Sequence, residues 1–283
     1  MTNAEIEIPP HIVTDSIADI PGAMTEALNI DVIRLKIMFG ETEFTDGVDI
    51  NMAEFLAKLQ IPGQKIPKTG APGTEAFKKV YTVHPEPILS IHAAPEFSRM
   101  FNTSIEAAQE LGRTNITSDN SESASMGIGL LALAAAKWAR EGRTVSEILP
   151  RLKDMRTRTY VGALGDTLKY LRESGRINIV EQGLGSLLDL KPILQIKNGV
   201  ATKVMAVRTR KQAIPKFVEW ITEHKKFEQV AVVHAGCIED AKMVANTLQE
   251  YVDNEVIVTE LSPAVTVHIG PKTLGVAFVT SAR

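Results

Sequence analysis

Through the first half of this 283-residue chain, short β-like runs take turns with helical stretches, and that alternation narrows the fold most. Residues 11–15 (HIVTD), 31–37 (DVIRLKI), 88–92 (ILSIH) and 114–117 read as strands. Residues 51–59, 74–80 and 97–111 carry helical period, and 62–73 is a loop rich in Pro and Gly. A strand–helix–strand order of this kind predicts a parallel sheet covered by helices.

Two further helices are marked by their ends. Residues 125–141 form one, with Gly142 where a left-handed terminating residue belongs. Thr144-x-x-Glu147 is a capping box that opens the next. Residues 166–174 form a short helix closed by Gly175. The second half then changes character. Runs 192–196 and 200–207 flank Asn198-Gly199, the strongest short hairpin signal. A helix over 209–225, a strand over 230–234, a helix over 239–251 and a strand over 255–261 follow. Two last runs, 265–269 and 275–279, read as strands around a Gly-Pro turn. Hairpin and alternating units together predict a mixed sheet. The expected division is an N-terminal α/β domain over 1–158 and a C-terminal mixed-sheet α/β domain over 159–283.

Composition excludes several function classes. Apolar residues are 44% and charged residues 23%, enough apolar content to bury a core. Net charge is −3, so no strong pull toward nucleic acid or anionic membrane is expected. Aromatics at 5% leave few stacking platforms for single strands. Cys237 is the single cysteine, which excludes an internal disulfide and fits a reducing cytoplasm. The segment 1–10 is acidic rather than basic, unlike an export signal. The most apolar run, 127–136, stops at Lys137 and is too short to span a bilayer.

Generic catalytic motifs are weak. Gly127-x-Gly129-x-x-Ala132 matches a dinucleotide fingerprint loosely, but a polar stretch precedes it where a strand is required. Close helix packing is the better reading of those glycines. Cys237 follows an apolar run with His234, so a nucleophile is conceivable, and a small buried hydrophobe is favoured. The six histidines show no metal-ligand spacing, and no metal site is expected. His92 and His268 fall in apolar runs read as strands, from which α/β folds offer side chains to ligands.

Several fragments together resemble the DegV family of bacterial fatty-acid-binding proteins, which includes the lipid-binding subunits of fatty acid kinase. They are Val13-Thr-Asp-Ser16 with Asp19-Ile-Pro21, Thr69-Gly-Ala-Pro72-Gly with Phe77, and Ile88-Leu-Ser-Ile-His92 with Phe97-Ser98. Asn120-Ser121 with Ser125-Met-Gly127-Ile-Gly129, and Gly175-Arg176-Ile177 with Leu190-Lys-Pro192, continue the order. Glu260-Leu-Ser-Pro263, His268-x-Gly270-Pro271 and Leu274-Gly275 complete it. The resemblance implies two α/β domains with a lipid tunnel between them, and a long-chain fatty acid as ligand rather than a cofactor.

By the same resemblance, Thr69 would donate to the fatty acid carboxylate and His268 would support it. A serine pair expected after ILSIH is replaced by Ala94-Pro95, leaving Ser98 further along, with His92 placed to compensate. Arg176, with Arg172 beside it, would lie on the surface that docks a kinase subunit. The implied protein is a carrier without chemistry of its own; apart from the resemblance, a monomer in the cytoplasm is the default expectation. The rival readings are a carrier of a branched, isoprenoid or otherwise atypical lipid, and an enzyme using the inter-domain cleft.

Overall fold

The computed structural model describes residues 8–176 and 190–282. Strand β1 (His11–Asp15) runs into a 3-10 turn over Ser16–Ala18, helix α1 (Gly22–Leu28) and strand β2 (Ile30–Ile33). The apolar run over 31–37 is therefore not one strand. The chain breaks at Arg34-Leu35, where the Leu35 amide donates to Ser16 Oγ at 3.1 Å. It re-enters as β3 (Lys36–Phe39), which pairs antiparallel with β4 (Thr42–Thr45) and, beyond α2 (Met52–Leu59), with β5 (Lys68–Gly70). The loop expected over 62–73 thus contains a strand.

Helix α3 (Thr74–Val83) leads to β6 (Ile88–His92), α4 (Met100–Glu110) and β7 (Ile116–Asn120). Strands β2, β1, β6 and β7 lie in that order and all parallel, as the alternation predicts. Helix α5 (Met126–Arg140) ends at Gly142, whose φ of +86° is the left-handed conformation expected there. Helix α6 (Val145–Arg158) starts on the capping box of Thr144 and Glu147.

Beyond α6 come β8 (Thr159–Leu164), α7 (Lys169–Glu173), β9 (Lys191–Lys197) and β10 (Val200–Val207). Strands β9 and β10 form the expected hairpin. Asn198 and Gly199 both have positive φ, 51° and 75°, as a type I′ turn requires. Helix α8 (Arg210–Thr222), β11 (Phe227–His234), α9 (Ile238–Leu248), β12 (Ile257–Glu260), α10 (Pro263–Ile269) and β13 (Leu274–Thr280) complete the chain. The six strands run in the order β10-β9-β8-β13-β11-β12, with only β11 and β12 parallel. The mixed sheet is as expected, but residues 265–269 are helical rather than a strand. Ser262 caps that helix by accepting from the Val265 amide, and Pro263 sits in its first turn.

Helix α5 joins the two halves. Met126 to Ala136 are all buried, and the helix packs on β1 and β6 on one side and on β8, β11 and β13 on the other. A helix apolar all round belongs inside a structure, and this one is the middle layer of a continuous core. A Cβ on Gly127 would stand 2.5 Å from Val161 Cγ2, and one on Gly129 would stand 2.7 Å from the Ala18 carbonyl oxygen. Close packing accounts for both glycines of the loose fingerprint. No helix among the described residues is long and apolar enough to cross a membrane.

Candidate functional site

A cavity of about 550 Å³ opens between the C-terminal ends of the parallel strands and one face of the mixed sheet. Open α/β sheets place ligands at that edge. Its walls are mainly apolar, with Ile17, Leu35, Val161, Leu194, Ile196 and Val265 among them. Among the polar groups that reach it are Thr69 on β5, Ser98 before α4, Arg176 after α7 and His268 on α10, with Arg99, Glu106 and Gln195 also on its walls.

Thr69 and His268 form one unit. β5 holds Thr69 opposite Ile37, and α10 carries His268 in its last turn. Thr69 Oγ1 lies 2.8 Å from His268 Nε2. Burial, and then the positive charge of Arg176, push His268 down to about 4, so the ring is neutral near pH 7. A neutral ring carries one proton. If it sits on Nε2 and is donated to Thr69, the threonine hydroxyl hydrogen is free to point at a ligand. If Thr69 donates instead, the proton sits on Nδ1. That buried Nδ1 has no hydrogen-bond partner among the described residues. Only the first arrangement turns a donor toward an anionic or carbonyl oxygen, since in the second the unpartnered proton sits on an enclosed nitrogen.

Arg176 is partly buried, lines the cavity, and spends one Nη1 hydrogen bond on the Ser174 carbonyl at 3.1 Å. Arg176 thus reaches the cavity from a half-buried position, and its expected place on the docking surface is a separate matter from this contact. Its neighbour in the resemblance, Ile177, lies outside the described residues. Arg172 is exposed and does not line the cavity. Ser98 does line it, and its Oγ also accepts from the Met100 amide at 3.4 Å.

His92 and Ala94 are elsewhere. All of β6 is buried, and His92 is fully enclosed. Its Nδ1 sits 2.8 Å from Asp15 Oδ2 and its Nε2 2.6 Å from Ser90 Oγ, which accepts from the Tyr81 hydroxyl at 2.8 Å. Both ring nitrogens are committed to a buried chain that ties β1, β6 and α3, so His92 does not replace the missing serines. Burial pushes the Tyr81 hydroxyl up to about 12, keeping it a donor. Ala94 is buried off the cavity, its amide donating to the Ser123 carbonyl at 3.1 Å.

The Cys237 thiol donates to the Thr273 carbonyl at 3.3 Å, and burial pushes its pKa up. A thiol held protonated is a poor nucleophile. Neither Cys237 nor His234 lines the cavity. Sequence reasoning did not anticipate the cavity wall supplied by α10 through Ala264, Val265 and Ile269; the Ser262-Pro263 helix start was the available signal.

A family model described as "Uncharacterised protein, DegV family" matches residues 10–281. A DegV domain-containing protein of Deinococcus radiodurans is 29% identical, over 94% of this chain and 96% of its own. One from Streptomyces coelicolor is 30% identical, over 96% and 98%. Among solved structures, a DegV family protein from Thermus thermophilus, described for its fatty acid binding, superposes with a TM-score of 0.88. It is 25% identical, with 96% of this chain and 100% of that one covered. DegV of Bacillus subtilis, described as a fatty acid binding protein, gives 0.86 at 26% identity, over 97% and 100%. The blocks quoted above lie in order along a chain with this architecture, and the chain belongs to the DegV family.

Proposed function

We propose that this protein encloses a long-chain fatty acid in the cavity and presents its carboxylate to a partner kinase. The carrying observation is the Thr69–His268 pair at a largely apolar cavity, with Arg176 supplying positive charge nearby. Solved relatives from Thermus thermophilus and Bacillus subtilis, described as binding fatty acids, support the ligand class. The cavity volume of about 550 Å³ falls in the range of small-molecule sites. Each buried CH₂ contributes about 0.8 kcal/mol, so a long acyl chain outweighs the entropy lost on binding. A carboxylate buried without donors would cost several kcal/mol, and Thr69, His268, Ser98 and Arg176 are the donors at hand. Arg176 then serves the head group, and exposed Arg172 is the candidate for kinase docking. The chain divides after Arg158 into two α/β domains that share α5.

Native mass spectrometry of the purified protein tests the ligand. A bound mass of a straight-chain fatty acid is expected; a branched or isoprenoid mass would favour an atypical lipid. The delipidated protein is then titrated with palmitate and with hexadecanol, which lacks the charge. Preference for the acid is expected, and Arg176→Gln should erase most of it. Equal affinity of the unaltered protein for acid and alcohol would overturn the head-group assignment. For the kinase step, the loaded protein is incubated with a fatty acid kinase subunit and ATP. Arg172→Ala should slow phosphate transfer and leave acid binding unchanged; loss of both would rule out docking.

A further inference from the structure

We infer that His11, His84 and Glu86 bind one divalent transition-metal ion of the zinc class at the N-terminal edge of the parallel sheet, with Asp31 holding the Nε2 edges of both rings from the other side. The four come from separate places. His11 opens β1, Asp31 lies on neighbouring β2, His84 ends α3, and Glu86 sits in the turn into β6. One ligand atom from each of His11, His84 and Glu86 falls within 4.8 Å of the others. Asp31 Oδ2 lies 2.8 Å from His11 Nε2 and 2.7 Å from His84 Nε2. On its other side, His84 Nδ1 lies 3.0 Å from Glu86 Oε1.

The chemistry of that set points to a cation. Three ring nitrogens face carboxylate oxygens, yet two neutral imidazoles supply only two N–H donors. Either an extra proton or a metal ion must fill the deficit. Two imidazoles and one carboxylate are a donor set for zinc and its neighbours, which take nitrogen and oxygen at about 2.0–2.2 Å, and water can complete four-fold coordination. The rings are stacked at 3.5 Å and 11°, so coordination requires them to splay until their lone pairs converge. His84, at a helix end with its side chain 18% exposed, is the ring that has to turn.

The frame around the cluster is built. Arg113 donates to the Tyr81 carbonyl and, at 3.1 Å, to the Glu86 carbonyl. Asn115 Nδ2 donates to the Pro85 carbonyl at 3.1 Å, and the His11 amide donates to the Pro87 carbonyl at 2.8 Å. The turn carrying His84 and Glu86 is thereby fixed against β1, the kind of support that orients metal ligands. The histidines lie too far apart in sequence for spacing to reveal them; the parallel sheet brings them together. None of the four lines the lipid cavity, so the site is independent of the head group.

Zn²⁺ titrated into the full-length protein by calorimetry should bind one ion per chain at micromolar Kd or tighter. At a hundredfold excess over Kd, the melting temperature should rise by about 5 °C. Co²⁺ should give the visible absorption of a four-coordinate ion. His84→Gln and Glu86→Gln should each weaken Zn²⁺ binding at least tenfold and abolish the thermal shift. Metal-free melting of each variant verifies that it folds. Absence of saturable Zn²⁺ binding would overturn the proposal. Unchanged binding in both folded variants would do so too, since the ion would then sit elsewhere.

Discussion

Thr69 and His268 show how two side chains far apart in sequence become one recognition unit. Thr69→Val keeps the shape and removes the hydroxyl. It should weaken fatty acid binding by roughly 1–3 kcal/mol, read as the shift in Kd for palmitate. His268 also leaves a mark on stability. Its folded pKa of about 4 lies below the ordinary 6.5, so the unfolded chain takes up a proton first as pH falls. Stability from the neutral ring is therefore intact above about pH 6.5 and is lost between about 6.5 and 4, by up to about 3 kcal/mol. His268→Gln should flatten that part of the urea midpoint against pH; an unaltered slope would mean the ring is charged in the folded protein. The family blocks placed Thr69, Ser98 and His268 at the cavity. His92 was misplaced because a histidine at the end of an apolar strand looks the same whether it faces a cleft or the sheet's own interior.

Among the elements, those with local signals were legible and those defined by distant partners were not. The Thr144–Glu147 box, the Gly142 terminus and the Asn198-Gly199 turn carry their own geometry, and each appears where expected. β5 has no such signal. Three residues in a Pro- and Gly-rich loop become a strand only because β3 offers them an edge. The apolar run over 265–269 misleads in the opposite direction, since β-branched residues suit a strand until Ser262 and Pro263 fix a helix start. Helix α5 was legible as a helix but not as the layer between two sheets. That layer makes Gly129 a sensitive position. An added Cβ would meet the Ala18 carbonyl oxygen at 2.7 Å and Met126 Sδ at the same distance, and the backbone carbonyl has little room to yield. Gly129→Ala should cost about 1–3 kcal/mol despite alanine's better helix propensity. A urea midpoint equal to that of the unaltered protein would mean the sheets can spread around α5.

At the scale of the whole molecule, Asp19 joins segments from both halves. It follows the turn after β1, accepts from Ser125 Oγ at 2.5 Å at the start of α5, and accepts from the Ser262 amide at 2.6 Å ahead of α10. Burial pushes its carboxyl up to about 8, with nearby Asp46 adding to the rise. The acid is therefore protonated in the folded protein at neutral pH and ionised once unfolded. For an acid whose folded pKa is raised, the folded state holds the extra proton. Stability then falls as pH climbs from about 4 toward 8, by about 1.4 kcal/mol per unit in mid-range. Asp19→Asn imitates the protonated form, keeping an oxygen for the Ser262 amide and offering an N–H to Ser125. Its stability relative to the unaltered protein should rise from pH 6.5 to pH 8, and the contribution of His268, present in both proteins, cancels in that difference. Lys197 complicates higher pH, because burial brings its ammonium down to about 8 and its loss of a proton favours the folded state. The difference between variant and unaltered protein cancels that contribution. Parallel urea midpoints across the window would show that Asp19 is ionised when folded, and that the junction between the halves holds a buried charge rather than a neutral acid.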